Sequence, residues 1–350
     1  MRAVPGEKKH SRGIRRSAIR CALCAALIAA MLLTGCGSRL VFTTGFREDE
    51  VISVGSQSAA SGEVRLYISN YLNAYEDTFG SGLWDAAPEA AQTVRDEALG
   101  SLLQVKILNL MAERDLIALT DEEETAAAEA GIAYCATLTP EDREYIGLSE
   151  TDIVMMMSEY AVSRKEYAHL TESADLGISD DEARVITIRT IRTETEDAAR
   201  EAFALLAGSV AADPNAVSGT GGGAASFESV QEQYSTDPQR EYTVSRADLP
   251  AAVEQAAFAL ESGAISGIVS AEDGYYYIIL CLNHFDEAKT EANREAMKEK
   301  RLNEAFAGVY EPFLAQQDVR VNEELLGKQT AADASSTSTS SFFAVYDEYF

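Results

Sequence analysis

The chain has 350 residues, with 29 Lys+Arg against 57 Asp+Glu, giving a formal net charge of −28. A surface this acidic repels nucleic acid and anionic lipid headgroups, so no nucleic-acid partner is expected, and any polymeric partner is expected to be polypeptide. At roughly 150 residues per domain, the length predicts two domains.

The chain opens with a basic stretch (Arg2, Lys8, Lys9, Arg12, Arg15, Arg16, Arg20) ahead of an uncharged run from Cys21 to Gly35. That run is shorter than the about 20 apolar residues a spanning helix needs, so residues 1–35 read as an export signal that is removed. The sequence Leu33-Thr34-Gly35-Cys36 resembles the bacterial lipobox. The resemblance implies cleavage before Cys36, a diacylglyceryl group on its thiol and an extracytoplasmic protein held to the cell membrane by that anchor. Beyond Cys36 the chain has only Cys135 and Cys281. Cys281 lies in an apolar strand, where a thiol packs as a small hydrophobe, and two unpaired thiols are expected.

Residues 36–50 read as a tether. Val51-Ile52-Ser53-Val54-Gly55 alternates like a short strand before a turn. Helical periodicity follows at Val64, Ile68, Tyr71, Leu72 and Tyr75, then at Leu102, Leu103, Val105, Leu108 and Met111. Thr120 with Glu123, Thr139 with Asp142 and Ser149 with Asp152 each place an oxygen acceptor three residues before an acid, the pattern of a helix N-cap. Residues 51–178 therefore read as mostly helices.

Ser179 to Glu182 forms a further cap motif, followed by a strand over Val185 to Ile191 and a helix from Thr195 to Leu206. The Gly/Ala/Ser run from Ala216 to Ser226 reads as a loop, and its glycines lack the Lys-Ser/Thr of a phosphate-binding loop. Next come a short helix at Phe227, Val230 and Tyr234 and a strand at Tyr242 to Val244. An apolar-faced helix (Leu249, Val253, Phe258, Leu260) is followed by a short strand from Ile265 to Val269, an Asp-Gly turn and a strand from Tyr275 to Leu282. From Glu287 a helical stripe reappears (Met297, Leu302, Phe306, Val309, Tyr310, Phe313), broad enough to require burial. Val319 and Val321 suggest a terminal strand. The Ser/Thr/Ala-rich tail, residues 325–350, reads as disordered, although its aromatic end (Phe342, Phe343, Tyr346, Tyr349, Phe350) leaves open that it mimics a client in a binding groove.

The order strand, helix, helix, strand, helix, strand, strand over residues 179–286 resembles the parvulin peptidyl-prolyl isomerases. Ala256, Ala257 and Phe258, then Gly263, Ile265, Ser266 and Val269, then Gly274, Ile278 and Ile279 fall where that family has them. The preceding helical segment, with Val51 to Gly55, Val94 to Leu119 and the acidic turn Leu119 to Glu123, is similar to the chaperone region of the PrsA and SurA foldases. These resemblances imply an α+β protein. Its mostly helical SurA-like N-terminal chaperone domain (51–178) would be completed by a C-terminal helix (287–324), with the parvulin-like α/β domain inserted between them. They also imply newly exported, unfolded polypeptides as partners, and leave a homodimer through the helical region open.

A prolyl isomerase lowers a barrier near 20 kcal/mol by holding the proline ring in an apolar cup and favouring the twisted amide. The family's cup positions match Leu249 and Val253, with Phe258 beside them. Its two pocket histidines map to Ile188 (or Arg189, if the register slips by one) and to Tyr276. Neither is a histidine, so isomerase activity is expected to be weak or absent. Tyr276 can still donate a hydrogen bond, as can Arg246 if it points inward. No metal or cofactor is expected: the mature histidines, His169 and His284, lie in different segments and no Cys/His spacing resembles a metal site. The alternatives are an active prolyl isomerase and a solute-binding lipoprotein, the latter requiring two lobes of repeated strand-helix units.

Overall fold

The computed structural model describes residues 45–80, 82–207, 225–331 and 333–350. The expected signal, the lipobox with Cys36, and the Gly/Ala loop as far as residue 224 lie outside them. The chain divides into two units: one comprises the described residues up to Ser173 together with Phe306–Phe350, and the other spans Ala174–Ala305. Among the described residues, no helix is long and apolar enough to cross a membrane.

The first unit begins with β1 (Glu50–Val54), which turns back into β2 (Gln57–Ala60), a strand that its small, polar residues gave no reason to expect. β1 also pairs antiparallel with β7 (Val319–Val321), Ile52 lying opposite Val321, so the sheet order is β2-β1-β7. Helices follow: α1 (Ser61–Phe79), α2 (Leu83–Ala86), α3 (Pro88–Asp115), α4 (Asp121–Thr137), α5 (Pro140–Ile146) and α6 (Glu150–Thr171). The caps form where the spacing predicts. Thr120, Thr139 and Ser149 each accept the N–H of the acid three residues on, while that acid's carboxylate accepts the N–H of the capping residue. The main core gathers Val64, Ile68, Leu102, Tyr134, Ile153 and Met157. The Ala-rich α4 lies close against α6, and a Cβ built on Gly131 would fall 2.8 Å from the Cα of Val154. Gly131→Ala is therefore expected to force the helices apart and lower stability by about 1–3 kcal/mol in chemical unfolding.

The second unit holds α7 (Asp180–Ala183), β3 (Ile186–Thr193), α8 (Glu196–Ala207), α9 (Phe227–Tyr234), β4 (Glu241–Val244), α10 (Ala251–Phe258), β5 (Val269–Ser270) and β6 (Tyr276–Asn283). Its sheet is wholly antiparallel with the order β4-β3-β6-β5. One face carries Ile186, Ile188, Val244, Tyr277, Ile279 and Cys281 under α10. The opposite face carries Ile191, Ile278 and Leu280 under α8 and α9. The strand expected over Ile265 to Val269 is shorter than predicted. Ile265 makes only an isolated bridge to Leu280, and regular pairing is confined to Val269 and Ser270. A four-stranded antiparallel sheet in one unit and a largely helical other unit make the protein α+β, and the described residues do not form two lobes of repeated strand-helix units.

α11 (Glu287–Leu314) begins in the second unit and ends in the first. Phe306 is buried against Tyr167, with ring centroids 5.0 Å apart, in a cluster with Val54, Ile107 and Met111. Val309, counted in the predicted stripe, is exposed.

The expectation of a disordered tail over 325–350 is corrected. After α12 (Glu323–Leu326), residues 333–336 form a 3₁₀ turn, and Phe342–Tyr349 form a helix, α13. Phe342 is fully buried, and Val345 and Tyr346 nearly so. Composition suggested disorder because Ser and Thr dominate locally. The few aromatic residues are decisive because they meet the tyrosines Tyr67, Tyr71, Tyr134 and Tyr160 of α1, α4 and α6. Cys135 and Cys281 are both free and buried.

Candidate functional site

The face of the second sheet covered by α10 brings together most of the residues singled out from sequence. Ile188, with no exposed surface, is paired in register with Tyr242 on one side and Cys281 on the other. Arg189, the alternative position, turns to the opposite face and pairs with Glu228 and Glu241. Val253 and Phe258 are buried in the cluster around Ile188, and Leu249 is half-buried against it. The residues read as cup walls are thus packed as core.

Strand alternation places Tyr277, not Tyr276, on the Ile188 face. Tyr276 pairs with Thr193 and Ser270 and belongs to neither side-chain cluster. Three tyrosines run consecutively after Gly274, and only the ladder decides which of them faces α10. The Tyr277 hydroxyl donates to Asp273 Oδ2 at 2.6 Å. Burial, and then that carboxylate, push the Tyr277 pKa well above its ordinary range.

Arg246 does not point inward to a pocket. Its guanidinium lies 4.2 Å from the Phe258 ring centroid and pairs with Asp181 at 2.5 Å and Glu254 at 3.5 Å. Arg184 lies over the same ring at 5.0 Å and donates to the Phe258 carbonyl. Arg246 and Arg184 therefore fix the end of α10.

Sequence reasoning missed the polar groups that do gather beside the apolar cluster. The Tyr242 hydroxyl donates to Asp237 Oδ2 at 2.5 Å, and burial followed by that hydrogen bond pushes its pKa up to about 12. Arg192 lies 3.8 Å from Asp237 and 4.6 Å over the Tyr275 ring, and it interacts with the Tyr277 hydroxyl. Arg192, Thr190 and Ile188 share the α10 face of β3 by alternation. Thr190 is buried with its hydroxyl unpartnered. The available signal was the repeated Asp four or five residues from a Tyr (Asp237 with Tyr242, Asp273 with Tyr277), but this spacing across a turn has no standard meaning in sequence. Chemically the group offers one fixed cation, Arg192, and two tyrosine hydroxyls that donate to Asp237 and Asp273.

Residues 178–283 match the family model of the PPIC-type peptidyl-prolyl isomerase (PPIASE) domain.

Among solved structures, the chain is similar to the peptidylprolyl isomerase PrsA of Bacillus cereus, at 17% identity over 80% of this chain and 92% of that one, with a TM-score of 0.33. It is also similar to the foldase PrsA of Lactococcus lactis, at 15% identity over 81% and 100% of the two chains, with a TM-score of 0.32. A SurA-like chaperone of Campylobacter jejuni matches at 12% identity over 79% and 99%, with a TM-score of 0.29. A comparison with curated proteins gave no match.

Proposed function

We propose that the protein is a membrane-anchored extracytoplasmic folding factor for exported polypeptides, whose parvulin-type domain binds chain segments and contributes little or no prolyl isomerisation. The observation that carries this reading is the state of the pocket face within a region matching the isomerase family. Ile188 stands at a family histidine position with no exposed surface, Val253 and Phe258 are core, and the facing tyrosine, Tyr277, is committed to Asp273. Twisting the amide requires an open cup and polar groups free to favour the twisted state, and these side chains provide neither. The resemblance of Leu33-Thr34-Gly35-Cys36 to the bacterial lipobox supports the lipid anchor. Tethering a folding factor where unfolded chains leave the membrane raises their local concentration.

One observation favours a second reading, in which catalysis is retained. Arg192, which interacts with the Tyr277 hydroxyl, lies on the same face, and its guanidinium supplies the donor that stabilising a twisted amide carbonyl without histidine requires.

The test combines two measurements on the chain lacking residues 1–36. NMR exchange spectroscopy on a short X-Pro peptide is expected to show binding without faster cis/trans exchange, and refolding of an aggregation-prone reporter is expected to give less aggregate. Acceleration abolished by Tyr277→Phe would establish the second reading. Absence of any effect on aggregation would overturn the folding-factor reading altogether. For the anchor, Cys36→Ala is expected to release the protein from the membrane fraction of its host.

A further inference from the structure

The C-terminal segment is held in the first unit as a bound peptide is held. Residues 337–341 form neither helix nor strand, and their main chain is read by side chains of the helices, not by a neighbouring strand. Asp142 Oδ1 accepts the N–H groups of Ser338 and Thr339 at 2.8 and 3.3 Å. Asn73 Nδ2 donates to the Thr339 carbonyl at 2.9 Å, and Asn70 Oδ1 accepts the Phe342 N–H at 2.9 Å. Contacts of this kind hold a main chain whatever its side chains.

Beyond them lie aromatic sockets. Phe342 meets Tyr134 edge-on at 5.2 Å, Phe343 meets Tyr67 and Tyr71 at 5.4 and 5.6 Å, and Tyr346 meets Tyr160 at 4.7 Å.

The chemistry of this groove suits an occupant that leaves. A permanent core element is held most cheaply by apolar contacts, because buried polar groups return little net stability for their desolvation. Here Asn70, Asn73 and Asp142 are buried and each bonds the main chain of the tail. With the tail gone, water can satisfy all three, and tyrosines tolerate hydration better than phenylalanines because each carries a polar tip.

We propose that the groove formed by α1, α4, α5 and α6 binds aromatic-bearing segments of non-native polypeptides, and that residues 337–346 are its resident occupant, which such a segment displaces. The identity of the partner rests on the folding-factor reading above. Joined to the body through residues 327–336, the tail acts at an effective concentration on the order of millimolar. It therefore sets a threshold that only segments with several aromatic anchors overcome. The binding-competent fraction of the full chain is small, and its apparent affinity is reduced in proportion.

The test compares the full chain with one ending at Ala331. The probes are a fluorophore-labelled peptide of residues 337–350 and a permanently unfolded, carboxymethylated model protein. The shortened chain is expected to keep its helical circular dichroism, to bind the peptide, and to release it when the unfolded protein is added. It should bind the unfolded protein about tenfold or more tightly than the full chain does. Asn73→Ala and Tyr134→Phe should weaken both ligands together. Peptide binding that the unfolded protein does not compete for would overturn the proposal, as would a full chain that proves to be a dimer exchanging tails. If the shortened chain does not fold, the full-length double variant Phe342→Ala, Phe343→Ala decides: client binding must rise, and no rise overturns the proposal. Competition without protection of an aggregating reporter would instead sink the folding-factor reading and leave the groove standing.

Discussion

Lys106→Ala is expected to destabilise the first unit by about 3–5 kcal/mol, measured by urea unfolding at pH 7. Lys106 projects from α3 with its side chain only 2% exposed, and its ammonium lies 2.6 Å from both Glu63 of α1 and Glu159 of α6. Burial alone pulls the Lys106 pKa down, but the two carboxylates more than offset it and hold the ammonium charged. Glu159 is pushed up by its own burial despite Lys106. Glu63 also accepts the Ala60 N–H at the start of α1, and Asn109, one turn along α3, donates to the Glu159 carbonyl. Removing the lysine leaves two neighbouring carboxylates without their counter-charge at the junction of three helices. The triple variant Lys106→Met, Glu63→Gln, Glu159→Gln is expected to recover most of the loss, because it removes the charges together. A loss below about 1 kcal/mol for Lys106→Ala would place this cluster among ordinary surface ion pairs.

Glu166→Gln is expected to raise stability above pH 7 by about 2 kcal/mol and to flatten its pH dependence. Glu166 sits in α6 with no exposed surface. Burial first, then the hydrogen bond and charge of Asp115, push its pKa up to about 7, while His169 and Arg114 act in the opposite direction. Asp115 is held below the usual range, chiefly by its hydrogen bond from Arg114, so the proton resides on Glu166. In the unfolded chain Glu166 ionises near its ordinary value of 4.5. Between that value and pH 7 the folded state binds more protons than the unfolded one. Stability from this group is therefore complete below about pH 4.5 and is lost as pH rises towards 7. Glutamine keeps the neutral shape at every pH. Thermal unfolding at pH 5 and pH 8 should show the wild-type chain losing stability between them and the variant losing less. Equal losses in both would remove Glu166 as the titrating group.

Local features were legible because their causes are local. The caps at Thr120, Thr139, Ser149 and Ser179 form where the spacing puts an acceptor beside unsatisfied N–H groups. The amphipathic periods gave the helices and most strands. The order of elements in residues 179–286, together with the small residues of α10 and the turns at Gly263 and Gly274, was enough for the parvulin resemblance. The candidate site was less legible. Leu249, Val253, Phe258 and Ile188 do share one face, yet whether they form an open cup or a packed core depends on the helix lying over them. The Tyr276–Tyr277 choice turned on pairing with β3, where the register shifts between Thr187 and Ile188. A one-residue change there moves every later side chain to the other face.

What the sequence determined by itself was the acidic balance of the chain, the helix caps, and the helical and strand periods. All of these depend on residue type or on neighbours within a few positions. Only the tertiary structure decided that Arg246 braces α10 through Phe258, that Arg192, Tyr242 and Tyr277 converge, and that a tail with a disordered composition closes an aromatic groove. Each of these depends on residues far apart in the chain. Asn73 meets Thr339 across 266 positions, and no local pattern encodes which of two distant polar side chains will find the other when the helices pack.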